Sequence, residues 1–243
     1  MSTLWATARV IALRELGSYF RTLAGWIIIA LFVFLTSVIF AITCLSPGAV
    51  ASMRDVFGVS GWLLLPVAPA ITMRLISEEL RSGTIEPLLA APVSAPSLVI
   101  GKFLGAVGFL VALLAPTLIH TGLLFAISAP RPDVGPIIAG YLCLALVGTM
   151  YLSIGLLASA LTNNSTLAFM TAFFTLLALL FAGAGIRFVP GSFQPIFAVL
   201  AMGPRIADFS RGVIDTSHVV YFAGITGMCL LFSVCVMEWR RWR

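Results

Sequence analysis

Six stretches of the chain, about 22–43, 57–76, 97–128, 135–160, 166–186 and 218–237, are almost wholly apolar. Each reaches the ~20 residues that a helix needs to cross about 30 Å of hydrocarbon. Charged residues make up only 9% of the 243 and hydrophobic ones 60%. A soluble domain is about a quarter charged, because its surface faces water. A soluble fold with this composition would expose apolar patches and aggregate. The sequence therefore predicts an all-α membrane protein: six transmembrane helices in one domain over 1–243, with connections too short for a second.

The punctuation refines this outline. Residues 1–21 place Arg14, Glu15, Ser18 and Arg21 on one helical face and Trp5, Leu13, Leu16 and Phe20 on the other, the pattern of an interfacial helix. Pro66 and Pro69 are expected to bend span 2. Span 3 is long enough to tilt or break near Pro116. The prolines around Asp133 make a turn between spans 3 and 4. Residues 187–216 mix prolines with charges and connect spans 5 and 6.

The net charge of +5 comes from scattered Arg residues, which excludes a nucleic-acid patch. With the N-terminus inside, Arg9, Arg14, Arg21, Arg74, Arg81, Lys102, Arg240, Arg241 and Arg243 are cytoplasmic. Arg54, Arg131, Arg187, Arg205 and Arg211 then face outward. The first set outnumbers the second, which by the positive-inside rule predicts cytoplasmic termini. The four cysteines show no CxxC spacing, and three of them sit inside apolar runs as small packing residues, with Cys44 near a span boundary; neither a disulfide framework nor a metal site is expected. No paired His or Cys ligands suggest a metal, and no catalytic constellation appears. No Gly-x-x-x-x-Gly-Lys-Ser/Thr string occurs, so an ATPase would have to be a separate polypeptide.

The most informative polar stretch is 74–96, which holds Glu78, Glu79 and Glu86. Arg74, Glu78 and Arg81 have the spacing of an ion-pair cluster on one helical face. Gly83 can end that helix in a left-handed conformation. Thr84 can cap a second short helix, with Glu86 and Pro87 in its first turn. Leu88 and Leu89 give it an apolar side, and Pro92 closes it. Residues 77–95 thus form an elbow continuous with two spans, suited to docking in a groove of a cytosolic partner. An ordinary juxtamembrane connector is the plainer reading.

The string from Glu78 to Pro92, with Glu79, Arg81, Gly83, Thr84, Glu86, Leu88 and Leu89, resembles the signature of the ABC type-2 transporter permease family. Residues 130–165 and Phe209 to Phe222 resemble the gliding-motility (GldF-like) and copper-site assembly (NosY-like) subgroup. Pro87 departs from the family string, which leaves the register of the short helix open. The resemblance implies that the elbow is the coupling helix. Through it, two permease copies, identical or paralogous, would engage two ATP-binding-cassette subunits that bind ATP and Mg2+. It implies a permease subunit in a bacterial inner membrane, not itself an enzyme and without a cofactor of its own, exporting a substrate, with short external helices in 187–216 closing the outer end of the pathway.

Other residues carry expectations of their own. Gly101, Gly105 and Gly108 permit close helix packing, within the bundle or at a dimer seam. His120 is ionisable inside a span and so a functional candidate; a neutral imidazole bonded to a neighbouring carbonyl is the plainer reading. Phe173 and Phe174 suit packing or a substrate wall. Arg205, Asp208, Arg211 and Asp215 would pair on one outer surface, either solvated or docking a periplasmic accessory protein. Two alternative functions stand beside the exporter. One is a non-transporting assembly component worked by an ATPase. The other is a stand-alone channel or secondary transporter, which would need polar groups near the midplane that are nearly absent.

Overall fold

The computed structural model describes residues 2–46, 52–83, 94–128, 132–185, 194–210 and 212–241. Every regular element among them is a helix: α1 (Ser2–Arg21), α2 (Leu23–Cys44), α3 (Arg54–Thr72), α4 (Ser77–Arg81), α5 (Ala95–Leu114), a 3-10 turn (Ala115–Thr117), α6 (Leu118–Ile127), α7 (Val134–Leu161), α8 (Ser165–Gly185), α9 (Gln194–Leu200), α10 (Gly203–Ser210) and α11 (Thr216–Arg241). Six helical segments are long and apolar enough to cross a membrane: α2, α3 with α4, α5 with α6, α7, α8 and α11. The chain is a multi-pass membrane protein.

Local chemistry sets the boundaries. Ser94 Oγ accepts the Ser97 amide and caps α5, and Asp133 does the same for α7 through Gly135. Pro116 lacks an amide hydrogen, and the helix tightens there into the 3-10 turn that separates α5 from α6. α3 stays helical through Pro66 and Pro69. The chain leaves it only at Met73–Ile76, a turn that precedes α4.

Successive spans reverse direction. One end of the bundle therefore gathers α1, the α3–α4 turn, the start of α5 and the ends of α7 and α11. There the Arg240 guanidinium donates to Leu161 O at 3.3 Å. α7 is the central span, packing against α3, α5, α8 and α11. Buried residues make up 67% of its apolar stretch, against 17% in both α2 and α11. The outward faces of those two, with Leu31, Phe34, Leu231 and Phe232 exposed, suit hydrocarbon rather than water. Gly155 lets α7 close on α3: a Cβ there would fall 2.0 Å from Thr72 Oγ1.

α1 packs against the bundle of its own chain. It lies along α5, where a Cβ on Gly101 would meet Ala8 O and Ile11 at 2.8 Å and one on Gly105 would meet Glu15 Cβ at 2.7 Å. Ala8, Ile11, Ala12, Glu15 and Leu16 therefore face inward. Trp5 and Leu13, on the apolar face of the interfacial pattern, are 55% and 60% exposed, whereas Leu16 of the same face packs against Gly108. Here the glycine stripe seats a helix of its own chain.

Candidate functional site

The only lysine in the sequence, Lys102, sits two turns into α5 with 1% of its side chain exposed. An isolated buried ammonium costs many kcal/mol, so it must be paired. Its Nζ lies 2.7 Å from Glu79 Oε1 and 3.0 Å from Glu15 Oε1. Arg14 Nη2 completes the cluster, 3.1 Å from Glu15 Oε1 and 3.6 Å from Glu79 Oε1. Two cations and two carboxylates thus balance in one half-buried knot joining α1, α4 and α5. Severing one partner of a buried pair costs about 3–5 kcal/mol, because the other charge is left bare.

A second clamp holds the α3–α4 turn. Ser159 Oγ, fully buried near the end of α7, accepts the amides of Ile76 at 3.1 Å and Ser77 at 3.0 Å. It donates to Met73 O at 3.1 Å. One hydroxyl satisfies two donors and one acceptor that the interrupted helix leaves free, as burial requires. Across the turn, Tyr19 OH donates to Ile71 O at 3.0 Å. Burial pushes the Tyr19 phenol above its usual range, and the Glu15 charge adds to this, so the proton needed for that bond stays in place. Gly83, just beyond α4, has φ +71°, the left-handed conformation its position predicts.

The residues singled out in the sequence fall unevenly. Glu78, Glu79, Arg81 and Gly83 are in or beside α4; Thr84, Glu86, Leu88, Leu89 and Pro92 lie outside the described residues. The Arg74–Glu78–Arg81 cluster does not form among the described residues. Arg74 belongs to the turn before α4, so the helical face that its spacing presumed is interrupted. The acidic side chain that turns inward is Glu79. Lys102 and Glu15 were missed as a site; the one available signal was a solitary lysine beside a span start.

The description "ABC-2 family transporter protein" belongs to the family model that matches residues 9–190. The chain belongs to the ABC-2 transporter family. No curated protein sequence matches it. Membership makes this ABC-2 chain a permease subunit of an ABC transporter and pairs it with an ABC ATPase. The matched residues include α1 from Arg9, α4 and Lys102, so the ion knot lies wholly within the family region.

Elsewhere in the ABC-2 chain, the other candidates are separate from the knot. His120 meets Ser37 Oγ of α2 at 2.8 Å and stacks on Phe40 at 5.1 Å. The partner seen is a hydroxyl rather than the carbonyl of the plainer reading. On α8, Phe173 stacks on Phe169 at 5.9 Å, while Phe174 is 60% exposed. At the opposite end of the bundle lie the charges of α10 and the start of α11. Arg205 covers the Tyr221 ring at 3.9 Å and also donates to Ala201 O. Asp208 meets His218 Nε2 at 3.0 Å, and Asp215 accepts the Ser217 amide at 2.8 Å. Arg211 lies outside the described residues. Among the described residues no group of three or more His, Cys, Asp or Glu could hold a metal ion.

Proposed function

We propose that this chain is the permease half of an ATP-driven exporter and that the segment from Glu78 to Pro92 is its coupling elbow. The observation that carries this reading is the double anchorage of the elbow's base. The Lys102 knot joins α4 to α1 and α5, and Ser159 joins the α3–α4 turn to α7. An elbow held this way cannot be displaced alone. A push on Leu88 and Leu89 from an ATPase groove would move α1, α3, α5 and α7 as one body.

In this reading two permease copies pair through surfaces left open in the single chain, with α1, both termini and the elbow on the cytoplasmic side of a bacterial inner membrane. ATP binding closes the partner ATPase dimer, the elbows follow, and the spans change access toward the outside. ATP and Mg2+ act on the partner subunit. α9 and α10, at the opposite end, close the outer mouth.

The test is co-purification of the full chain with its ABC ATPase. Leu88→Asp with Leu89→Asp is expected to abolish association while the variant still inserts in the membrane. Undiminished association would overturn the coupling assignment. ATP-driven uptake by inverted vesicles tests export, and its absence with ATPase association intact favours mechanical work on an external partner.

A further inference from the structure

At the corner where α1 turns into α2, beside the end of α3, lies a cavity of about 390 Å3. That falls within the roughly 300–1,000 Å3 of small-molecule sites. Its walls include the apolar side chains of Ile28 and Ile71. The corner is tightly built. A Cβ on Gly25 would fall 2.1 Å from Tyr19 O, and the Tyr19 hydroxyl reaches Ile71 O from the far wall. Arg74 and Glu78 also line the cavity. Both are exposed, and neither joins an ion pair among the described residues. Because the two do not pair with each other, both charges can meet a ligand.

An apolar wall below a positive and a negative group is the complement of a zwitterionic amphiphile. We propose that the cavity binds one lipid with a phosphoethanolamine-type headgroup, its phosphate toward Arg74, its ammonium toward Glu78, and its acyl chain along Ile28 and Ile71. An anionic headgroup would satisfy Arg74 but bring like charge to Glu78 and to Glu15, which also borders the cavity. The pairing of opposite charges at the mouth therefore selects an amine-bearing lipid over a purely anionic one. The site does not depend on the elbow's partner or on the direction of transport. It places a bilayer component against the base of the elbow.

The experiment is native mass spectrometry of the delipidated full chain with phosphatidylethanolamine or phosphatidylglycerol of matched acyl chains. The expected result is a single phosphatidylethanolamine adduct that half-saturates at about tenfold lower concentration than phosphatidylglycerol. Glu78→Lys, at an exposed position, should reverse that preference. Ala24→Trp, which places an indole in the cavity, should remove the single adduct. Equal retention of the two lipids, preference for phosphatidylglycerol, or an unchanged preference in Glu78→Lys overturns the proposal. If Ala24→Trp does not fold, the Glu78→Lys comparison decides.

Discussion

Lys102 Nζ lies 2.7 Å from Glu79 Oε1, so the first polar helix after span 2 is fastened to the start of span 3 by a charge that water scarcely reaches. Lys102→Met should destabilise the protein by about 3–5 kcal/mol, since Glu79 and Glu15 lose their buried counter-ion. Adding Glu79→Gln should recover much of that loss, because an apolar and a neutral side chain tolerate burial better than one bare charge. Denaturant unfolding of the single and double variants measures the coupling. Strictly additive losses would mean that the two side chains do not act as a pair.

Gly105 is the tightest point of the α1–α5 contact, with Glu15 Cβ and Ala12 O at 2.7 and 3.1 Å from a built Cβ. Gly105→Leu should push α1 off α5 at a cost of about 1–3 kcal/mol and accelerate amide hydrogen exchange throughout α1. Gly108→Ala is expected to be mild, because its nearest neighbour is the end of the Leu16 side chain at 3.3 Å, which can rotate. Equal exchange in the two variants would contradict this contact.

What the sequence disclosed and what it hid follow from the range of the forces involved. Crossing a bilayer is a property of each apolar run by itself, so six spans were legible without knowing which touch. Pro116, Gly83, Ser94 and Asp133 likewise act within a few residues of themselves. Gly101, Gly105 and Gly108 announced a close approach but could not say that α1 makes it. Lys102 looked like a charge at a span end, because its partner Glu15 is 87 residues away. The Arg74–Glu78–Arg81 spacing misled for the reverse reason: it is a helical rule applied across a turn.

Among the described residues, Ser159 is the side chain that accepts the Ile76 and Ser77 amides. Ser159→Ala leaves two buried donors without their acceptor, at a cost of about 1–3 kcal/mol for each unsatisfied group. The expected signature is local: faster hydrogen exchange at Ile76, Ser77 and the following α4 amides, with α11 unchanged. Exchange at those amides equal to wild type would show that the turn is held by something else.

Asp215 gives the N-terminal end of α11 a pH-dependent cap. Its carboxylate accepts the Ser217 amide at 2.8 Å. That backbone bond first, then the Ser217 hydroxyl, with a smaller contribution from His218, hold it below the usual aspartate range. A folded value below the unfolded one means that the cap is fully present above the ordinary carboxylate pKa and is lost as pH falls through the depressed value. Amide exchange at Ser217, corrected for intrinsic rate, should rise on acidification from about pH 6 to about pH 2. In Asp215→Ala it should be fast at both ends of that range, and α11 should fray by a turn at its start. A pH profile in Asp215→Ala identical to wild type would assign the effect to another group.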